Sequence, residues 1–135
     1  MIRFKDGVSK ERFQYIHPLA AAIAAQMNQW ALTRELPFVI TSTVSTFQED
    51  RALGRQSSTH RTARAFDISI HGWRESDIDE FTKFFEEIHG RFGAVSVSDN
   101  VRRLILRHEA GHGDHIHVQI AALYSIKDPL ASLEG

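Results

Sequence analysis

Two short segments alternate strictly between apolar and polar residues, and this alternation constrains the fold more than any other feature of the sequence. In residues 66–70, Asp67 and Ser69 stand between apolar neighbours. In residues 115–120, His115, His117 and Gln119 alternate with Ile and Val. Because successive side chains of a β-strand point to opposite faces, each segment predicts a strand with a buried apolar side. Asp67, His115 and His117 are therefore expected on the sheet face opposite the core.

The rest of the chain predicts an α+β fold. One helix is expected from Pro18 towards Leu36 and a second from Ser76 to Gly90, each with apolar residues at intervals of three or four. The second helix is expected to bury Ile78, Phe81, Phe84, Phe85 and Ile88. Further strands are expected at residues 38–41, 94–97 and 103–107, while residues 43–55 are expected to be irregular. We expect one domain, residues 1–135, with a small, mostly antiparallel sheet and helices packed on one side.

Composition limits the partners and the kind of metal site. The chain has 135 residues and no cysteine, so any metal must be held by His and carboxylate side chains. A formal net charge of −1 gives no general attraction to nucleic acid or to an anionic membrane, and neither partner is expected. The N-terminus lacks the basic and apolar segments of a signal peptide, so synthesis in the cytoplasm is expected. The Ala-rich run at residues 20–25 is too short and too polar to span a bilayer, so membrane insertion is not expected. The protein is expected to be a monomer.

His60 and Asp67 form the most suggestive spacing in the sequence. On one uninterrupted strand they would lie about 23 Å apart on opposite faces. A shared metal therefore requires the chain to fold back between them, which small Ala63 and Ala65 permit. With His117 as a third donor, the set leaves a fourth position open, as in catalytic zinc sites. On the residues alone there is an alternative, in which His60 is a surface loop residue and Asp67 is a cap or a salt-bridge partner.

Residues just before His117 are candidates for the remaining chemistry. Peptide hydrolysis beside a metal needs a carboxylate that takes a proton from water and passes it to the leaving amine. Asp114 is the best placed candidate. The alternative is that Asp114 only forms the turn after Gly113. His115 is expected to be a fourth ligand or to polarise the substrate carbonyl, and His112 to line the same wall of the cleft.

The combined motifs resemble a known family. The pattern Ser58-x-His60-x-x-Ala63-x-Ala65-x-Asp67, followed by Asp114-x-x-His117, resembles the D-alanyl-D-alanine peptidase family of zinc enzymes. The run His112-x-x-His115-x-His117 is similar to the penicillin-insensitive murein endopeptidases. The resemblance implies a hedgehog/DD-peptidase-like fold, zinc bound by His60, Asp67 and His117, and Asp114 as the catalytic acid and base. It also places Ser58 among the substrate-binding residues.

The sequence departs from the family pattern at three points. Ala63 stands where a Gly is usual, and no aromatic residue precedes His117. Many members carry an Arg three residues after a strand Ser to hold a substrate carboxylate, whereas here Ser42 is followed by Ser45 at that spacing. Arg51 or Arg55 is the expected substitute. The missing Arg makes an endopeptidase fit better than a carboxypeptidase.

The function expected from these motifs is zinc-dependent cleavage of the stem or cross-link peptides of bacterial peptidoglycan. An endolysin-type endopeptidase of a phage or prophage, released through a separate membrane pore, fits best. A D-alanyl-D-alanine carboxypeptidase or dipeptidase, and a non-catalytic, zinc-stabilised wall-binding domain, are the alternatives. A metal-dependent phosphoesterase is less favoured, because it generally needs more carboxylates or two metals.

Overall fold

The computed structural model describes residues 1–108 and 113–131, so predicted His112 lies outside the described residues. The described residues form seven strands and four α-helices. In chain order they are β1 Arg3–Phe4, α1 Gly7–Arg12, α2 Pro18–Thr33, β2 Val39–Ser42, α3 Phe47–Ala52, β3 Ala65–Ser69, α4 Glu75–His89, β4 Ala94–Val95, β5 Arg102–Arg103, β6 Ile105–His108 and β7 His115–Gln119. No helix in this part of the chain is both long enough and apolar enough to cross a membrane.

Five strands form the main sheet, in the order β1-β2-β3-β7-β6. Strand β1 runs parallel to β2, and the other neighbouring pairs are antiparallel. Strands β4 and β5 form a separate two-stranded ribbon. The predicted α+β class with a mostly antiparallel sheet is therefore confirmed.

One face of the sheet, which we call the apolar face, supports the core. It carries Phe66 and Ile68 from β3 and Ile116 and Val118 from β7, each at most 1% exposed. Helices α2 and α4 contribute further buried side chains to the same cluster, including Ile23, Met27, Ile78, Phe81 and Phe85.

The buried stripe of α4 is narrower than predicted. Phe84 and Ile88 were expected to be buried but are 43% and 42% exposed. Phe84 lies about 100° around the helix axis from buried Phe85, at the flank of the stripe. Ile88 lies in the last turn of the helix.

The opposite face, which we call the polar face, carries Asp67 and His117 directly across from each other. Residues 43–64 cover this face: Thr59 contacts His117, His60 contacts Asp67, and the Thr43 carbonyl contacts His60 from behind. Part of this segment was expected to be irregular but forms α3. The reason is a capping box, in which the Thr46 side chain accepts from the Glu49 backbone N–H and the Glu49 carboxylate accepts from the Thr46 N–H.

Candidate metal centre

A tight turn brings His60 back beside the start of β3. Backbone bonds join Thr62 N to Ser58 O at 3.0 Å, Ala63 N to His60 O at 3.1 Å and Arg64 N to Thr59 O at 3.0 Å. Ala63 has a φ of 61°, in the left-handed region, and its side chain is fully buried. The chain therefore folds back between His60 and Asp67 at the position where the family pattern usually has Gly.

His60, Asp67 and His117 meet on the polar face. Asp67 Oδ1 lies 3.3 Å from His60 Nε2 and 2.9 Å from His117 Nδ1. The three residues are 4–5% exposed. One donor atom from each lies within 4.8 Å of the other two, and within the described part of the chain this is the group that could hold a metal ion.

Contacts outside the group orient each imidazole. His60 Nδ1 lies 2.6 Å from the Thr43 carbonyl oxygen, so Nδ1–H donates and Nε2 presents a lone pair. His117 Nδ1 lies 2.9 Å from Asp67 Oδ1 and donates to it when no metal is bound. His117 Nε2 lies 3.2 Å from Gln119 Oε1, so with the proton on Nε2 the Nδ1 lone pair would be available to a metal ion. In that state two nitrogen lone pairs and a carboxylate oxygen would face one another, an arrangement that a cation between them stabilises.

The electrostatics of the group also favour a cation. Burial lowers the pKa of His117, although its hydrogen bond to Asp67 opposes the shift. Burial would raise the pKa of Asp67, but the charge of His60 and the hydrogen bond from His117 outweigh it and hold that pKa well below its ordinary value. At neutral pH the site therefore contains an ionised Asp67 and a neutral His117, which suits a metal ion.

Two further His residues lie beside the group. His115 Nε2 is 3.7 Å from Asp67 Oδ2, and its Nδ1 donates to Gly113 O at 3.1 Å. His108, which was not among the predicted site residues, pairs with His115 across β6 and β7. Its ring stacks on His117 with centroids 5.0 Å apart and an interplanar angle of 11°. The strand expected at residues 103–107 could have indicated His108. One more residue in that strand places His108 on the same face as Leu106.

The structure does not bring Asp114 to the donor group. Its carboxylate accepts from Arg107, with Nε to Oδ1 at 3.1 Å and Nη2 to Oδ2 at 2.6 Å. Arg107 also binds Glu75 at the start of α4, at 2.5 and 2.8 Å. The hydrogen bond from Arg107 lowers the pKa of Asp114. Its role as acid and base stays a prediction.

The three predicted substrate-binding residues differ in position. Arg55 Nη2 lies 3.7 Å from Asp67 Oδ2, beside the donor group. Arg51 is exposed on α3. The Ser58 hydroxyl instead accepts from Arg64 Nη2 at 3.4 Å, in the turn before β3.

A cleft of about 330 Å³ opens next to the donor group, between α1, the end of β2 and α3. Ser42 and Arg55 line it, and Ser42 pairs with Asp67 in the sheet register. Arg55 therefore lies between the cleft and the donor group.

Neither a protein-family model nor a curated protein nor a solved structure matches this chain. The chemistry assigned to the site accordingly depends on the geometry of His60, Asp67 and His117 and on the motifs that contain them.

Proposed function

We propose that this protein is a zinc-dependent peptidase that cleaves the stem or cross-link peptides of bacterial peptidoglycan. The observation that carries the proposal is the convergence of His60 Nε2, Asp67 Oδ1 and His117 Nδ1, with both imidazoles oriented by outside contacts. The motifs around these residues resemble those of the D-alanyl-D-alanine peptidase family, which gives the substrate class. The proposed setting is phage or prophage lysis, with a monomer made in the host cytoplasm that reaches the wall through a separate pore.

The donor set fits zinc. Two imidazole nitrogens and one carboxylate oxygen are typical of catalytic zinc sites, which keep a further position for water or substrate. Zinc in this position supplies the Lewis acidity that activates water and polarises a peptide carbonyl. The chain's own residues hold the donors: the Thr43 carbonyl orients His60, Gln119 orients His117, and strand pairing places Asp67 opposite His117.

Hydrolysis also requires a group that moves a proton from the attacking water to the leaving amine. Asp114 is our candidate for this role, and it must exchange its ion pair with Arg107 to reach the donor group. The pair lies at the surface, with 30% and 37% of the two side chains exposed, and Arg107 keeps its bonds to Glu75 when Asp114 leaves, so this exchange is feasible. His115 and His108 line the polar face beside His117, where they can contact a bound peptide.

Two alternatives each have an observation in their favour. The ion pair of Asp114 with Arg107 favours a non-catalytic, zinc-stabilised wall-binding domain, because the proposed base is turned away from the donors. The position of Arg55 beside Asp67 favours a D-alanyl-D-alanine carboxypeptidase or dipeptidase, since a guanidinium there can bind a free substrate carboxylate.

The deciding experiment combines metal analysis with digestion of isolated peptidoglycan. Purified protein should contain one zinc per chain, and mass spectrometry of the digest should show new amine and carboxyl ends within stem or cross-link peptides. His60→Ala should lose zinc and activity, whereas Asp114→Ala should keep zinc and lose most turnover.

The other possible outcomes of this experiment would each identify an alternative function or contradict the proposal. Release of terminal D-alanine alone would identify the carboxypeptidase. Wall binding that survives Asp114→Ala, without any new chain ends, would identify the binding domain. Iron in place of zinc would contradict the proposal, because the same two-His, one-carboxylate donor set holds iron in oxygenases.

A further inference from the structure

Asp50 is a buried carboxylate that lies outside the donor group. It is 1% exposed, and three side chains donate to it: Ser45 Oγ at 2.6 Å, Arg55 Nη1 at 3.1 Å and Arg61 Nη1 at 3.2 Å. A buried carboxylate is stable only when it is paired and hydrogen-bonded. Here it holds two guanidinium groups in fixed positions.

One of these guanidinium groups connects Asp50 to Asp67. Arg55 binds Asp50 through Nη1, and its Nη2 lies 3.2 Å from Ser42 Oγ and 3.7 Å from Asp67 Oδ2. The other guanidinium, on Arg61, binds the second oxygen of Asp50. The planar, rigid fork of Arg suits a bridge between two carboxylates.

The two oxygens of Asp67 consequently have different surroundings. Oδ1 faces His60 and His117, at 3.3 and 2.9 Å. Oδ2 faces Arg55 and His115, each at 3.7 Å. Oδ1 is therefore the oxygen available to a cation that the two imidazoles also bind. Oδ2 instead lies beside the positive charge of Arg55.

We infer that Asp50 and Arg55 are positioning residues that restrict Asp67 to a single oxygen donor and so keep a coordination position free for substrate or water. The inference depends on the proposed metal site. It gives Arg55 a function different from the predicted binding of a substrate carboxylate, and the two functions have different experimental signatures.

The test compares Arg55→Gln with Arg61→Gln, because both remove a guanidinium from Asp50 and Arg55 is the one beside Asp67. Each variant is loaded with Co²⁺, whose visible absorption is strong in four-coordinate sites and weaker at higher coordination numbers. We expect Arg55→Gln to bind one Co²⁺ per chain with clearly weaker bands. With zinc, its kcat on peptidoglycan peptides should fall about tenfold, as is typical for outer-shell changes, with KM unchanged.

The control variant is Arg61→Gln, and two results would overturn the inference. Arg61→Gln should keep both the cobalt spectrum and kcat of the wild type. An unchanged spectrum with a KM raised about tenfold in Arg55→Gln would assign Arg55 to substrate binding and overturn the inference. Equal spectral changes in both variants would also overturn it, because the effect would then come from disturbing Asp50 alone.

Two further measurements keep the test decisive. If Arg55→Gln fails to fold, as judged by circular dichroism, Arg55→Lys replaces it: a single ammonium cannot bridge Asp50 and Asp67, so the same spectral change is expected. A wild-type protein that binds no metal would overturn the inference together with the proposed function. Metal binding without any peptide cleavage would contradict the proposed function, and the cobalt spectra would still test Arg55.

Discussion

At the residue scale, each imidazole of the donor group is oriented by a contact that is not itself a metal donor. The Thr43 carbonyl holds His60, and Gln119 holds His117 with support from Thr59 Oγ1 at 3.3 Å. Such contacts fix the tautomer and the ring orientation, and they raise the affinity of the site for metal.

Gln119→Leu tests this contribution. The change removes the oxygen that accepts from His117 Nε2 while roughly conserving side-chain size. We expect zinc affinity to fall by about 10- to 100-fold, measured by competition with a chromogenic chelator. Gln119→Glu, which retains an acceptor oxygen, should stay near the wild-type affinity. An unchanged affinity in Gln119→Leu would show that Thr59 alone orients His117.

Ala63 gives a second prediction because three effects on stability oppose one another there. Ala63→Gly relieves about 1–2 kcal/mol of left-handed strain. It also loses about 0.8 kcal/mol of methyl burial and about 0.4–1 kcal/mol through the freer unfolded chain. The free energy of unfolding from urea titration should therefore change by less than about 1 kcal/mol. Ala63→Val should be strongly destabilised and lose zinc, because a β-branched residue disfavours this backbone conformation next to His60.

At the scale of elements, the sequence predicts which face of a strand a side chain occupies better than it predicts which strands pair. Alternation places Asp67 and His117 on the face opposite the core without any structure. It does not show that β3 pairs with β7, because about fifty residues separate them and pairing depends on the whole sheet. The Thr43 carbonyl was not predictable either, since a backbone acceptor leaves no side-chain signal. Helix α3 was predictable from Thr46 and Glu49, the capping box that the expectation of an irregular segment overlooked.

The end of α4 provides a test of pH dependence. His89 Nε2 contacts Gln26 Oε1 at 2.5 Å and so joins α4 to α2. Burial, and then the charge of Arg91, lower the pKa of His89, so the folded state favours the neutral ring. The unfolded state takes up a proton first as pH falls below about 6.5, so this contribution to stability is present above that pH and is lost below it.

We therefore expect the Tm of the metal-free protein to fall between about pH 7 and pH 5, and to fall less in His89→Gln. Gln retains a donor for Gln26 but does not titrate. Differential scanning calorimetry across this range measures both slopes. Parallel curves for the two proteins would show that His89 does not contribute.

At the scale of the whole molecule, the sheet separates the hydrophobic core from the proposed metal-binding residues. Helices α2 and α4 add to the apolar cluster around Phe66 and Ile116, whereas the donors lie on the polar face. A metal ion would therefore stabilise the protein without being needed to assemble its core. This arrangement differs from that of small zinc domains, whose folding depends on the metal.

Removal of metal tests this separation. Treatment with a chelator should lower the Tm, because a ligand present at about a thousand times its Kd stabilises the folded state by about 4 kcal/mol. The far-ultraviolet circular dichroism at room temperature should remain that of a folded α+β protein, because the core on the apolar face stays intact. Restored zinc should restore the Tm in the wild type but not in Asp67→Asn, whose amide is a poor metal ligand. Loss of secondary structure on chelation would instead show that the metal is required for folding.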